Sequence, residues 1–414
     1  MSSTTEVGPP VASPVPPVIA VSPGQLAWLD HQLPQWVAAG LVAPESAAVI
    51  RHRYVPVRRF SVARLVLTLG ACFVGAGIIW LVASNLDQLS PILRFIVVAA
   101  FWLGLMGLAE VLAGRRERAG DVASPVVGAA RLLAALSFGA VVFQAAQSLQ
   151  VPAYEPLLVG VWGLGALLYA YAVRGLAPLV VGILLGTFWV AWQLMDGQEG
   201  AFTFSTALLS MALAGTAIGG LHAARWWPEF AIPWREVGAA LALVGLFVAA
   251  LPFAWGEVHG SPLLYAVITV AVLLAVAAAV LGDRLERIQV ALMAVALAAG
   301  IGLASWQIVP ADGTDALANP TGESYARAVV AVLVFLAVAV GVAVLGAWRD
   351  SDRLTLLATG ALVIFITWQA FAVFAPILSG ATLFLAVGVV LLVSGVLADR
   401  GRRRLVAEAK EAQS

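Results

Sequence analysis

Twelve apolar runs of helix length fill residues 62–398, and polar residues gather in the short stretches between them. The runs are 62–84, 91–113, 126–149, 156–173, 176–195, 203–223, 236–255, 263–281, 288–308, 325–347, 354–374 and 377–398. Most hold the roughly 20 apolar residues that cross ~30 Å of hydrocarbon at 1.5 Å per residue. The pattern predicts an all-α polytopic membrane protein with twelve transmembrane helices. Two connections, 173–176 and 374–377, are so tight that reading through either would change the count.

The connections alternate in charge. One set carries Arg58, Arg59 and Arg64, then Arg115, Arg116 and Arg118, then Arg174, then Arg225 and Arg235. Arg284 and Arg287 follow, then Arg349 and Arg353, and last the cluster at 400–404. The other set carries Asp87, Glu155, Asp196, Glu199, Glu257, Asp312, Asp315 and Glu323, with no Lys or Arg. Cations on short loops mark the cytoplasmic side, so the expected topology has both termini in the cytoplasm of a bacterial inner membrane. An even helix count preserves the alternation.

Ahead of the first run the pattern changes. Residues 1–23 hold six prolines and read as a disordered tail. Residues 24–56 carry apolar residues at helical spacing, broken at Gly40 and restarted at Pro44. They predict a cytoplasmic two-helix hairpin whose buried face would be Leu26, Leu29, Leu33, Trp36, Leu41 and Ile50. The chain thus divides into a tail (1–23), a hairpin (24–56), a twelve-helix domain (57–399) and a basic tail (400–414).

The outward-going runs share a further feature. Each has an aromatic near its outer end, usually followed by an amide: Trp80 with Asn85, Phe143-Gln144, Trp192-Gln193, Trp255, Trp306-Gln307 and Trp368-Gln369. Trp80, Trp192 and Trp306 are 112 and 114 residues apart, and Phe143, Trp255 and Trp368 are 112 and 113 apart. That period suggests a four-helix unit used three times in parallel. An aromatic belt accounts for the tryptophans, but an amide in hydrocarbon is costly unless paired. Asn85, Gln144, Gln193, Gln307 and Gln369 are therefore candidates for a polar vestibule open to the outside, walled by Trp192, Trp306 and Trp368. The alternative is that these amides bond neighbouring helices together.

Composition narrows the chemistry. Hydrophobic residues make up 62% of the chain and charged residues 11%, with a net charge of zero, which gives no pointer to nucleic acid. Cys72 is the sole cysteine, so no internal disulfide forms. His31, His52, His222 and His259 lack metal-ligand spacing, and Lys410, the lone lysine, has no glycine-rich approach. Neither a metal nor a cofactor is expected. Ser137 and His222 could form a dyad in principle, but a serine bonding back to its own helix is the simpler reading. Intramembrane charge is sparse. Glu110 is expected to snorkel or pair with Arg115 and Arg116, Arg131 to snorkel, Arg94 to pair with Asp87, and Arg327 with Glu323. Gly182 and Gly186, with Gly215 and Gly219, are expected at close helix contacts.

The segments LPQWVAAGLVAPESAAVI (33–50) and LTLGACFVGAGIIWLVASNLDQLSPILR (67–94) resemble a bacterial membrane-protein family, domain of unknown function 2157. The resemblance covers residues 26–113; Leu86 stands where the family pattern has a Trp. It implies a membrane location and conveys no activity. Two functional readings remain. The first is a transporter-like or permease-like protein for a neutral or lipid-like solute. The second is a non-transporting scaffold or regulator whose hairpin at 24–56 meets a protein partner. No catalytic constellation supports an enzyme.

Overall fold

The computed structural model describes residues 19–21, 23–56, 62–85, 90–118, 125–152, 154–196, 200–225, 227–251, 258–306, 322–374, and Leu385, Gly388, Val389 and Leu392. By contact clustering the chain divides into Met1–Leu69 and Gly70–Ser414.

The first unit contains β1 (Ile19–Val21), α1 (Pro23–Ala38), α2 (Pro44–Arg53) and β2 (Tyr54–Pro56). The two helices of the hairpin stand where the periodicity puts them. The strands do not follow from it: β1 and β2 pair in parallel, Ala20 opposite Val55. Gly40 turns the chain with φ of 70°, a conformation open to glycine. Leu26, Leu29 and Leu33 are buried, Trp36 and Ile50 are half-buried, and Arg51 pairs with Asp30 between the helices. Leu41 departs from expectation at 74% exposed, because it sits in the turn rather than on a helix face.

Eleven helices follow the first eleven apolar runs. They are α3 (Val62–Asn85), α4 (Pro91–Arg118), α5 (Pro125–Ser148), α6 (Pro156–Val173), α7 (Leu176–Met195), α8 (Ala201–Arg225) and α9 (Pro228–Ala249). After them come α10 (Pro262–Leu281), α11 (Arg284–Ser305), α12 (Gly322–Trp348) and α13 (Asp352–Phe374). The twelfth run, 377–398, lies almost wholly outside the described residues, as do the tails at 1–18 and 399–414. Among the described residues nine helices, α4 to α12, are long and apolar enough to cross a bilayer. α3 adds a shorter apolar stretch, Leu65–Gly77.

Local chemistry sets the helix ends. Several helices begin on proline, whose missing N–H costs nothing in the first turn. Asp283 and Ser261 cap α11 and α10 by accepting from the Glu286 and Leu264 amides at 2.8 and 3.1 Å. The tight turn after α6 is a true break: Arg174 is left-handed (φ 50°), and the Gly175 N–H returns to the Ala170 carbonyl at 2.9 Å. α9 and α11 start earlier than the hydropathy suggests, at Pro228 and Arg284. Arg235, assigned to a connection by the sequence, therefore lies inside a helix, and so does Glu286.

Among the described residues, Arg174, Arg235, Glu286 and Arg349 lie at one end of α6, α9, α11 and α12, the arginine-bearing end, and Arg327 stands at the other, against the last carbonyls of α9 and α11. α8 is the most buried span and packs on α7, α9, α10 and α11. The main core runs from it through α9–α13, with Phe335 and Phe365 stacked at 3.8 Å. α5, α6 and α7 form a smaller core with Ala71 of α3.

The small residues work as spacers. A Cβ added at Gly182 would meet the Leu167 backbone nitrogen at 2.9 Å, and one at Gly163 would meet the Gly186 nitrogen at 3.1 Å, so α6 and α7 run backbone to backbone. A Cβ at Gly219 would lie 3.0 Å from the Ala231 carbonyl, and one at Gly215 would lie 3.4 Å from the Trp234 carbonyl, on α9.

Candidate functional site

Several hydrogen-bonded polar groups of the bundle stand at the arginine-bearing end. α6 supplies two tyrosines two positions apart, hence about 200° apart around the helix. They serve opposite faces. The Tyr169 hydroxyl donates to Glu110 Oε1 at 2.7 Å. Arg131 grips the same carboxylate with two bonds, Nε to Oε1 at 2.9 Å and Nη2 to Oε2 at 2.7 Å. Glu110 thus joins α4 to α5 and α6, not the Arg115–Arg116 pair at its own helix end. Arg131 is correspondingly a bonded partner rather than a snorkelling cation.

On the other face of α6, the Tyr171 hydroxyl is 2.8 Å from His222 Nε2 on α8 and accepts from Trp234 Nε1 on α9 at 3.3 Å. His222 is only 4% exposed. Trp227 and Phe230, at the start of α9, close around Tyr171 with ring centres 5.4 and 5.2 Å away. Between these rings and α10 lies a cavity of about 490 Å³, lined by Tyr171, Ile218, Leu221, His222, Trp227 and Leu274. Three of the six, Ile218, Leu221 and Leu274, are purely aliphatic, and the Tyr171–His222 bond is a polar edge. Arg174, exposed at the end of α6, places its guanidinium carbon 5.9 Å from the Trp227 ring centre. Ser137 takes no part: its hydroxyl bonds back to the Leu133 and Ala134 carbonyls at 2.8 and 3.1 Å.

The opposite face of the last turns of α8 carries an ion cluster. Glu286, 3% exposed in its side chain, pairs with Arg235 of α9 and, at 3.1 Å, with Arg349 at the end of α12. Gly219 and Gly220 make the room, since a Cβ at either would meet the Arg235 stem at 2.8 Å or Glu286 Oε2 at 3.1 Å. Beside it Arg353 of α13 reaches Glu236 at 3.3 Å.

At the arginine-poor end stands Arg327, 6% exposed. Nε donates to the Trp306 carbonyl at 2.8 Å and Nη1 to Leu251 at 3.0 Å. Nη2 donates to Ala249 and Leu303 at 3.1 and 3.2 Å. These are the last carbonyls of α9 and α11, which have no partner within their own helices. Arg327 is a shared cap, not a partner of Glu323; Glu323 instead accepts from Trp306 Nε1 at 2.9 Å.

The vestibule candidates occupy varied settings. Gln144 is 2% exposed, while Gln193 and Gln369 are half-buried. Trp192 packs edge-on against Phe188 at 5.6 Å, and Trp368, 43% exposed, lies 6.0 Å from Phe247. Trp306 closes α11. Among the described residues no hydrogen bond or ring contact joins one of these side chains to another. The Asn85 side chain, Gln307, Asp87 and Trp255 lie outside the described residues. Sequence reasoning passed over the cavity because its aromatics look like belt residues and His222 has no ligand spacing. The available signal was Tyr171, His222, Trp227 and Trp234 flanking consecutive turns at one end of the bundle.

Neither the curated proteins nor the solved structures contain a match to this chain. A family model does match, over residues 34–179, from the hairpin to the first turn of α7. The matched stretch includes Glu110, Arg131, Tyr169 and Tyr171 and stops before His222, Arg235, Glu286 and Arg327. That stretch is what this chain shares with the family described as predicted membrane protein (DUF2157).

Proposed function

We propose that this membrane protein handles a neutral or lipid-like solute in a transporter-like or permease-like manner, with no catalytic step and no cofactor. The observation that carries the reading is the cavity among α6, α8, α9 and α10: an apolar space with one hydrogen-bonded edge, Tyr171–His222, fits a mostly apolar molecule with a single polar end. Among the described residues the bundle also shows no isolated carboxylate in its middle. Glu110 and Glu286 are both held by arginine, which suits a solute that carries no coupling ion. The test is flux. Proteoliposomes of the wild type should move a fluorescent neutral lipid analogue between leaflets faster than those of Leu221→Trp, which fills the cavity. Equal rates for the two would remove this reading.

The reading includes twelve helices in a bacterial inner membrane with the arginine-bearing end and both termini cytoplasmic. Reporter fusions after residues 118, 230, 285 and 351 should then report cytoplasm, and those at 153, 198, 258 and 316 the far side. Inversion of any neighbouring pair would remove a helix pair from the topology. The outer vestibule of amides belongs to the same proposal, as the far mouth of a route whose inner mouth is the cavity.

A second reading draws on the hairpin, where Trp28, Leu41 and Val49 are 58%, 74% and 65% exposed. Such apolar exposure on a small helical unit suits a protein partner and a regulatory role. The flux experiment separates the readings, because a regulator acting through α1 and α2 leaves the Leu221→Trp rate at the wild-type value.

A further inference from the structure

The cavity has a charged rim that a wholly neutral solute would leave unused. Arg174 stands over Trp227 at the left-handed end of α6, and its side chain is exposed. Arg225 is the last residue of α8, three positions beyond His222 and so about one turn above it on the same side. Both belong to the arginine-bearing end of the bundle. Among the described residues Glu229, in the first turn of α9, is an acidic group at this end of the cavity. Arg174 and Arg225 thus end the two helices, α6 and α8, that supply Tyr171 and His222 to the polar edge of the apolar space. An alkyl chain satisfies the lining residues Ile218, Leu221 and Leu274, and an acidic head satisfies the rim.

We propose that the cavity takes a single-chain amphiphile with an acidic head group, its chain between α8 and α10 and its head at Arg174 and Arg225. This rests on the reading above and narrows its solute from lipid-like to acidic and single-chained. The shared chemistry is a carboxylate or phosphate monoester on one alkyl chain, which a free fatty acid or a lysophosphatidic acid would each supply. Guanidinium groups at the membrane surface attract such heads, and Arg174 and Arg225 are both exposed at their helix ends.

The test is displacement of a fluorescent long-chain carboxylate from the full-length protein in neutral detergent. Three competitors are compared: an unlabelled long-chain carboxylate, the alcohol of the same length, and a single-chain phosphate monoester. The carboxylate and the phosphate should both compete more strongly than the alcohol. Arg174→Gln and Arg225→Gln should each weaken the acids about fivefold and leave the alcohol unchanged. Preference for one of the two acids identifies the source of the head group. An alcohol as potent as the acids, or acid binding unchanged in both variants, overturns the acidic head while leaving an apolar site in place. Leu221→Trp and Ile218→Phe, which block the cavity from the same helix, should abolish displacement by all three. Binding unaffected by either would instead place the probe elsewhere and overturn the site itself.

Discussion

Arg327→Met should be among the most damaging single substitutions in the bundle, lowering the stability of the detergent-solubilised protein by ~3 kcal/mol or more. Four charge-assisted bonds run from this one side chain to the carbonyls of Ala249, Leu251, Leu303 and Trp306. Each is of the kind worth ~1.5–3 kcal/mol, although the four are not additive. The lost bonds are also not replaced by water, since the site is buried at 6% exposure. Among the described residues no ion pair involves Arg327, so its compensation is the negative end of two helix dipoles. Methionine fills the volume and leaves those carbonyls bare. Lysine keeps the charge but reaches fewer carbonyls from a single point, so Arg327→Lys should fall between the two. Thermal unfolding of the three proteins in one detergent decides it. A Met variant within ~0.5 kcal/mol of the wild type would show that the carbonyls find other partners.

Glu286→Gln should rank with it, through the opposite chemistry. The carboxylate lies between two guanidiniums, and neutralising it leaves Arg235 and Arg349 facing each other in a buried site. Breaking a buried ion pair from one side costs about 3–5 kcal/mol, because the remaining charge is uncompensated. Replacing all three residues with apolar ones of similar size removes the charges together and should recover most of that loss. The comparison therefore needs Glu286→Gln beside the triple variant Arg235→Met, Glu286→Leu, Arg349→Met. Equal stability of the wild type and Glu286→Gln would mean that the cluster is solvated and carries little structural weight.

The helix order was legible because hydropathy and length are properties of the segments themselves. α3 to α13 fall on the first eleven apolar runs, and the break at Arg174–Gly175 is where the tight connection puts it. Partnerships between helices were not legible. Glu286 follows Asp283 by three positions, the local spacing of a capping box, and Asp283 does accept from its amide. Its side chain nevertheless runs to Arg235, 51 residues earlier in the chain. Glu110 likewise passes over Arg115 and Arg116 for Arg131, and Arg327 passes over Glu323 for two helix ends. In the last two cases a nearby opposite charge in sequence lost to a distant group, because a partner on a packed neighbouring helix is held in place and an exposed one is not. The cavity was invisible for a related reason: its walls come from four helices, and no one of them carries a distinctive motif.

Arg327 joins α12 to the far ends of α9 and α11, and the Arg235–Glu286–Arg349 cluster joins the same three helices at their near ends. Two fastenings, separated by the length of a membrane span, leave this trio neither a pivot nor a sliding plane. Any one of the three could tilt or turn only by tearing a cluster at one end. The trio is thus a keel, and of the helices around the space beside Tyr171 and Leu274, α6, α8 and α10 are the ones that neither fastening holds.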